Sequence, residues 1–409
     1  MLTEKDDNIR IVDLPERLQG RERPMMVTSS DLAKEAGFIA RSIPNSFKSQ
    51  EKDLIKCVVA ILRFLKLENV EVPFIIANRR DYFENILLVE DIWKIYDLDE
   101  SYMLVEAKKS SLENLILRIE ELGQPVPDSM LDCVGRVCNL DSANDAANHF
   151  QIHFSAEFEK LQKDVPGKQK TKKPFWKATY DDALANKFED LTKLFGMDMQ
   201  GIVEDILGNS PSSHRPVDPN MAPIEIADKF LCSKFQKAEG VLEGARLIIA
   251  HQIASIPRLR SHVRGIFQRD ALVTVTPTER GKSEISASHP FYPFKYLTNK
   301  PVYLFALNND MDILQIFEAE SSGLVAVSVF LSNEKILVDD FVSHFTSANS
   351  DNIGKQWNLE REKIALHVTR KILFPHAVKW FKEQWALLKR DSLALACQID
   401  FEKVHDVLK

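Results

Sequence analysis

Glycine is scarce in this sequence, at 14 of 409 residues. A large β-barrel or sandwich turns many tight corners, and glycine supplies positive φ at them, so the shortage favours a helical protein. Cysteine is sparse too. The five, Cys57, Cys133, Cys138, Cys232 and Cys397, are odd in number and irregular in spacing. Cys133 and Cys138 stand too far apart for a Cys-x-x-Cys clip, and no pair fits a zinc pattern. Reduced thiols in an intracellular protein are expected. Long apolar runs are missing. No window holds the ~18 uncharged apolar residues of a membrane span, and the stretch Gly323 to Leu331 is far too short. Met1 to Gly20 is polar and charged where a signal peptide would be apolar. A soluble chain with no membrane partner is expected.

Catalytic signatures are also lacking. There is no Gly-x-Ser-x-Gly elbow and no His-Glu-x-x-His. Gly240 and Gly244 flank no lysine and make no phosphate loop; they let helices approach closely or simply cost helix stability. Carboxylate pairs such as Asp97/Asp99 and Asp339/Asp340 sit in charged surroundings and read as solvated faces. His149 and His153 would share a helix face, but no third ligand stands at a recognised spacing, so they read as ordinary helix histidines. No catalytic, cofactor-binding or metal-binding residue is expected, and no small-molecule substrate.

What remains is apolar patterning and local charge. Hydrophobic residues make up 44%, enough for sizeable cores in two to four domains. The net charge of −7 is modest, so any phosphate-binding surface must be a local patch. Residues 1–45 read as an extended leader. A helix is predicted over about 47–67, with Leu54, Val58, Ile61, Leu62 and Leu65 on one face and Lys52, Lys56 and Arg63 largely off it. Pro73 starts a short apolar element that Arg79-Arg80 ends. A helix is predicted at Val89 to Tyr96. Ser110 and Glu113 form a capping-box pattern opening another that carries Leu112, Leu115, Ile116 and Ile119 and stops at Gly123 and Pro125.

Residues 124–208 read as a helical connector with helices at Asp128 to Asn139 and Ser142 to Leu161, a basic loop at 168–174, and a helix start at Thr179. Asn209 to Pro223, with four prolines, reads as an inter-domain linker. Beyond it Pro257 opens a helix from Ile256 to Arg269. Leu259, Val263, Ile266 and Phe267 face inward there, Arg260 and Arg264 form an outward row, and Arg258, His262 and Arg269 lie on the other flank. Leu272 to Thr276 reads as a strand-like or extended piece. Val302 to Leu307 and Leu324 to Leu331 are strands or buried helix ends. A long helix covers Ile353 to Leu373, Pro375 breaks or kinks it, and a second runs from His376 towards Ile399.

Arg258, Arg260, Arg264, Arg269, Arg280 and Lys282 fall within 25 residues and are one candidate nucleic-acid surface. Arginine meets phosphate oxygens in pairs, and affinity for nucleic acid comes from several cations on one face. Asp270, Glu279 and Glu284 dilute the patch, so an intramolecular salt-bridge face is the competing reading. Arg79 and Arg80, with Tyr82 beside them, are the second candidate.

Three stretches carry a resemblance to a known family. They are Glu71 to Trp93, with Val72-Pro73-Phe74-Ile75 and Asp91-Ile92-Trp93-Lys94; Val241 to Gly281; and Phe294 to Val302. Asp13 to Arg17 and Gln356-Trp357-Asn358 match more weakly. In this order they resemble the core of the eukaryotic transcription elongation factors and histone chaperones of the suppressor-of-Ty class, relatives of the bacterial protein Tex. The resemblance implies a mainly α, elongated, multi-lobed helical scaffold with few short strands. Its parts would be the leader, a helix-turn-helix-like lobe at 46–123, the connector 124–208, the linker 209–223 and a Tex-like helical core at 224–409. It further implies a nuclear, non-enzymatic protein that binds histones, nucleosomal DNA and the RNA polymerase II elongation machinery. The family's acidic N-terminal tail and its RNase-H-like, helix-hairpin-helix, S1 and SH2 modules have no counterpart here. That reads as a fragment or a short divergent paralogue, the latter an interaction adaptor without DNA binding. Asn78 and Glu279 depart from the family at the two basic sites.

Overall fold

The computed structural model describes residues 28–43, 51–163, 174–208, 215–302 and 312–387. The chain is mainly α and divides into two compact units, Met1–Ala147 and Asn148–Lys409. Residues 1–27 of the expected leader, most of the basic loop, the segment after Val302 and the reach of the last helix beyond 387 lie outside the described residues.

Among the described residues the first unit begins with α1, Ser29–Ser42, inside the segment expected to be extended. Thr28 and Asp31 form a reciprocal cap: Asp31 N donates to Thr28 Oγ1 at 3.2 Å, and Thr28 N donates to the Asp31 carboxylate at 3.1 Å. Leu32, Ala36 and Ile39 then recur at helical spacing and are buried. Helix α2, Glu51–Lys66, buries Leu54, Val58, Ile61, Leu62 and Leu65, and exposes Lys52, Lys56 and Arg63, as the pattern predicts. Each such aliphatic is worth about 1.5–3 kcal/mol relative to leaving it in water. Asn69, at φ 54°, turns the chain into α3, Val72–Asn78, where Pro73 sits in the first turn.

The two helices expected between Val89 and Gly123 are one, α4, Val89–Glu121. No proline or glycine interrupts these residues, and the stretch between Tyr96 and Ser110 is rich in good helix formers, so the Ser110 box lies within a running helix and caps nothing. The Asp91 carboxylate accepts from Leu88 N at 2.9 Å at the true start, and Gly123, at φ 80°, ends it. Helix α5 is Asp128–Gly135; α6, Leu140–His153, carries the division between the units.

In the second unit α7 is Ser155–Lys163, α8 Phe175–Ala185, α9 Phe188–Leu194, α10 Met199–Ile206 and α11 Pro223–Ala227. Helix α8 starts four residues before the predicted Thr179. The central helix is α12, Ala238–Ser255, most of whose residues from Val241 onward are buried. Gly244 permits its contact with α8 and α9, because a Cβ there would meet the Phe188 ring at 3.0 Å and Ala183 Cβ at 3.3 Å. Helix α13, Pro257–Asp270, leads into β1, Ala271–Pro277, and then α14, Glu279–Glu284. Strand β1 is the middle of an antiparallel sheet between β2, Lys300–Pro301, and β3, Val325–Leu331, with Val273 opposite Val329. A side chain at Gly281 would run into the Leu324 carbonyl. Helices α15, Asp312–Ser321, α16, Glu334–Phe345, and α17, Asn352–Leu366, follow.

Two expectations change here. Of the two outcomes expected at Pro375, the break with a second helix from His376 does not occur. A π-helical stretch, His367–Leu373, precedes the proline, and the chain stays helical through 387. The wider turn makes room for the proline ring and for the carbonyl that loses its donor. Nor is the described part of the proline-rich segment, 215–223, a free linker. Arg361, fully buried, donates to the Phe195 carbonyl at 2.7 and 3.0 Å and to the Val217 carbonyl at 3.2 Å, and pairs with Asp218. Trp357 Nε1 donates to the Met221 carbonyl at 3.0 Å. The connector from Asn148 onward therefore belongs to the second unit. Among the described residues no helix is long and apolar enough to cross a membrane.

Candidate nucleic-acid interface

In the first unit, Arg79 follows the last residue of α3, and its guanidinium lies 5.5 Å from the Phe64 ring centre and 5.9 Å from that of Phe74. Glu68 stands 3.9 Å away. Arg79 is thus half-buried and engaged with α2. Arg80 is exposed, its Nε donating to the Ile76 carbonyl at 3.1 Å, which fixes its stem and leaves the guanidinium tip outward. Tyr82 is exposed, with its ring edge-on to Phe64 at 5.1 Å. The outer face of α2 adds Lys52 and Arg63, both exposed.

The six cations of the second unit do not form one face. Arg260 and Arg264, expected to point outward, are buried. Arg260 Nε donates to the Ala254 carbonyl at 2.8 Å and Nη1 lies 3.4 Å from His376 Nε2; with the Asn148 amide assigned so that its oxygen faces the guanidinium, the Nη atoms donate to that oxygen at 2.9 and 3.2 Å. Arg264 lies 5.7 Å from the Trp380 ring centre. Helix α13 is covered on two sides, and the second cover comes from residues more than a hundred positions later. The other four stay at the surface, each beside an acid. Arg258 pairs with Glu204, Arg269 grips Asp270 at 2.7 and 2.9 Å, Arg280 holds Glu284 at 3.0 and 3.2 Å, and Lys282 meets Glu279 at 2.7 Å. Exposed pairs of this kind contribute about 0–1 kcal/mol, so they are easily exchanged for another anion.

Two groupings escaped sequence reasoning. In the first unit Lys66 Nζ lies 2.6 Å from Glu35 Oε2 and 2.9 Å from Asp99 Oδ1, with both carboxylates buried. Burial pushes the Glu35 carboxyl up to about 7, Asp99 adds to the rise, and Lys66 opposes it. In the second unit a ring of basic and aromatic side chains surrounds Arg260. Trp176 stacks on His251 at 3.9 Å, and His367 stands 6.0 Å beyond. Burial, aided by His367, Lys177 and Arg260, brings His251 down to about 3. His149, whose Nδ1 is 2.8 Å from Ser255 Oγ, falls to about 4, chiefly through burial. Among the described residues no three histidines, cysteines or acids converge as metal ligands. Each of these groupings joins residues far apart in sequence, so no local motif announces them.

Residues 25–123 match the helix-turn-helix DNA-binding domain of SPT6, and residues 218–384 match a Tex central region-like family. The first match falls within the first unit and the second within the second. Among curated proteins, the chain is 25% identical to transcription elongation factor spt-6 of Neurospora crassa over 98% of its own length and 30% of the relative's. It is 25% identical to transcription elongation factor spt6 of Schizosaccharomyces pombe, over 97% and 30%. A suppressor of Ty 6 homolog of Caenorhabditis elegans is 24% identical over 91% and 28%. The chain spans about three tenths of the length of these relatives. Both of its units are Spt6-like.

Proposed function

We propose that this chain is a nuclear, non-enzymatic scaffold of transcription elongation that binds histones, nucleosomal DNA and the RNA polymerase II machinery. One observation carries the reading: two Spt6- and Tex-type regions occur in order, one on each compact unit, in a chain alignable almost throughout with proteins named transcription elongation factors. The function is equilibrium binding. Buried helix faces give rigidity, and surface cations exchange weakly held partners for phosphate. On this reading the DNA contact centres on Arg80, Arg63 and Lys52 of the first unit, because these are exposed and the matched domain is described as DNA-binding. Arg79 acts by holding α3 against α2.

Crosslinking mass spectrometry of the chain in nuclear extract should recover histones and elongation components; recovery of neither overturns the proposal. The DNA contact is read separately, from duplex affinity across a salt series. Arg63→Ala/Arg80→Ala should flatten the slope of log K against log[salt] by about 1.8, at roughly 0.9 per phosphate lost. An unchanged slope removes this face from the interface.

The acid partners of Arg258, Arg269, Arg280 and Lys282 favour a second reading, an interaction adaptor that competes with a longer family member and binds no DNA. Recovery of elongation components with no measurable duplex affinity is its signature.

A further inference from the structure

A recessed cavity of about 290 Å³ lies within the second unit. Asn148 and Ile152 of α6, Trp176 of α8, His251 of α12 and Arg260 of α13 line it, and His367, Lys371, Ile372 and His376 close it from the π-helical side. The lining contains two cations, three imidazoles and an amide, but no carboxylate. That balance is unlike the unit's other candidate cations, Arg258, Arg269, Arg280 and Lys282, each of which stands beside an acid.

Arg260 is fixed at depth by the Ala254 carbonyl and the Asn148 amide, so its guanidinium is oriented before any ligand arrives. Lys371 is exposed and forms no ion pair among the described residues. The Trp176–His251 stack builds one apolar wall, and Ile152 and Ile372 supply others, which lowers the local dielectric and strengthens attraction for an anion.

We propose that this cavity binds the phosphoryl group of a phosphate monoester. The charge argues for a dianion, since one arginine and one lysine face the same space. Its recess argues against nucleic acid: a duplex carries monoanionic diesters along a stiff rod and cannot bring one down to a buried arginine. A phosphoryl group on a single flexible arm, or a free phosphate ion, can enter. The imidazoles of His251 and His367, whose pKa values burial lowers, offer N–H donors without adding charge to the cavity.

The test titrates the full chain with inorganic phosphate, O-phospho-L-serine, L-serine and a short DNA duplex at constant ionic strength. The Trp176 indole N–H resonance, assigned with Trp176→Phe, is followed by NMR. Both phosphates should shift it saturably with a Kd of roughly 1 mM, and L-serine should not. Tighter binding of phosphoserine identifies an arm-borne ligand, and equal binding a free oxyanion. Lys371→Gln and His376→Gln should each weaken binding on the order of fivefold. Lys371 is at the surface, so its variant folds normally and keeps the test decisive. A Trp176 signal unmoved by either phosphate overturns the proposal. So does phosphate binding that neither variant weakens. A duplex that shifts the signal while the phosphates do not overturns it in favour of nucleic acid.

Discussion

The first unit buries acids, Glu35, Asp91, Asp99 and Asp145, whereas the second buries mainly bases, Arg260, Arg264, Arg361, Lys295 and His149, with Glu360 among them. The difference follows from what each unit must satisfy. In the first unit long helices dominate, and the exposed need is for acceptors: Asp91 takes the Leu88 N–H at the start of α4. In the second, many shorter helices end inside the packed body, and the carbonyls of their last turns and of the segment around Val217 need donors. Arg361 serves Phe195 and Val217, Arg260 serves Ala254, and Lys295 serves Ile285 at 2.8 Å and Lys282 at 3.2 Å. Arginine suits this because it brings five N–H donors and no acceptor. Arg260, Lys295 and Arg361 act first as donors to carbonyls at helix ends and in the segment around Val217.

The sharpest way to break that comparison is to remove the donor with the most acceptors. Arg361→Met should cost the second unit about 3–5 kcal/mol, because it strands Asp218 and two carbonyls in the interior. Hydrogen exchange of the full chain should show lost protection around Phe195, Val217 and α17, with the first unit unchanged. Loss confined to within about 1 kcal/mol would mean that water serves these carbonyls equally well.

Lys66→Met is the matching change in the first unit. It leaves Glu35 and Asp99 buried together without a cation, for about 3 kcal/mol at pH 7.5. Here the damage is repairable by acid. Protonating one carboxyl lets it donate to the other, so protection of α1 and α4 should recover towards pH 5. An equally large defect at both pH values would show that Lys66 matters for packing alone.

Without mutation, pH should separate the units. Glu35 is raised from 4.5 to about 7, so the folded first unit holds the proton more tightly than the unfolded chain. Its contribution is complete below pH 4.5 and is lost as pH rises through 7. His149 and His251 are lowered from 6.5 to about 4 and about 3. Their contribution is present above pH 6.5 and is lost as pH falls towards those values. Between pH 4.5 and 6.5 the two units should therefore move in opposite directions, each by on the order of 2 kcal/mol. Peptide-resolved hydrogen exchange at several pH values, corrected for intrinsic rates, reads both at once. Parallel slopes would sink the contrast.

How much of this was legible follows the range of the forces. The stripe of α2, Pro257 at the start of α13, β1 and the end of α4 at Gly123 are local matters of spacing, caps and φ, and the sequence carries them. The Thr28–Asp31 box of α1 was equally local but lay in a segment read as extended. The Ser110 box failed the other way, since a capping pattern has no force inside a helix that nothing interrupts. Asp99 read as half of a solvated pair, and nothing in the local pattern pointed to its partner Lys66 or to Glu35, which α1 brings to them. The resemblance supplied the class of the chain; it did not supply which arginines face water.

Helix α13 sharpens the comparison on a single element. Arg264 and Arg269 are five positions apart and identical in chemistry. Arg264 is buried over Trp380, and Arg269 is exposed with its fork on the neighbouring Asp270. If burial decides what a cation does here, Arg264→Ala should cost about 1–2 kcal/mol through lost ring contact and stem packing. Arg269→Ala should stay within about 0.5 kcal/mol, because an exposed pair gains little from Coulomb attraction and loses side-chain freedom. Thermal unfolding midpoints of the two variants provide the check. The same pair tests the charge-cluster reading from the other side: if Arg269→Ala weakens duplex binding, the salt-bridged surface of the second unit exchanges its acid for phosphate, and the DNA contact extends beyond Arg80.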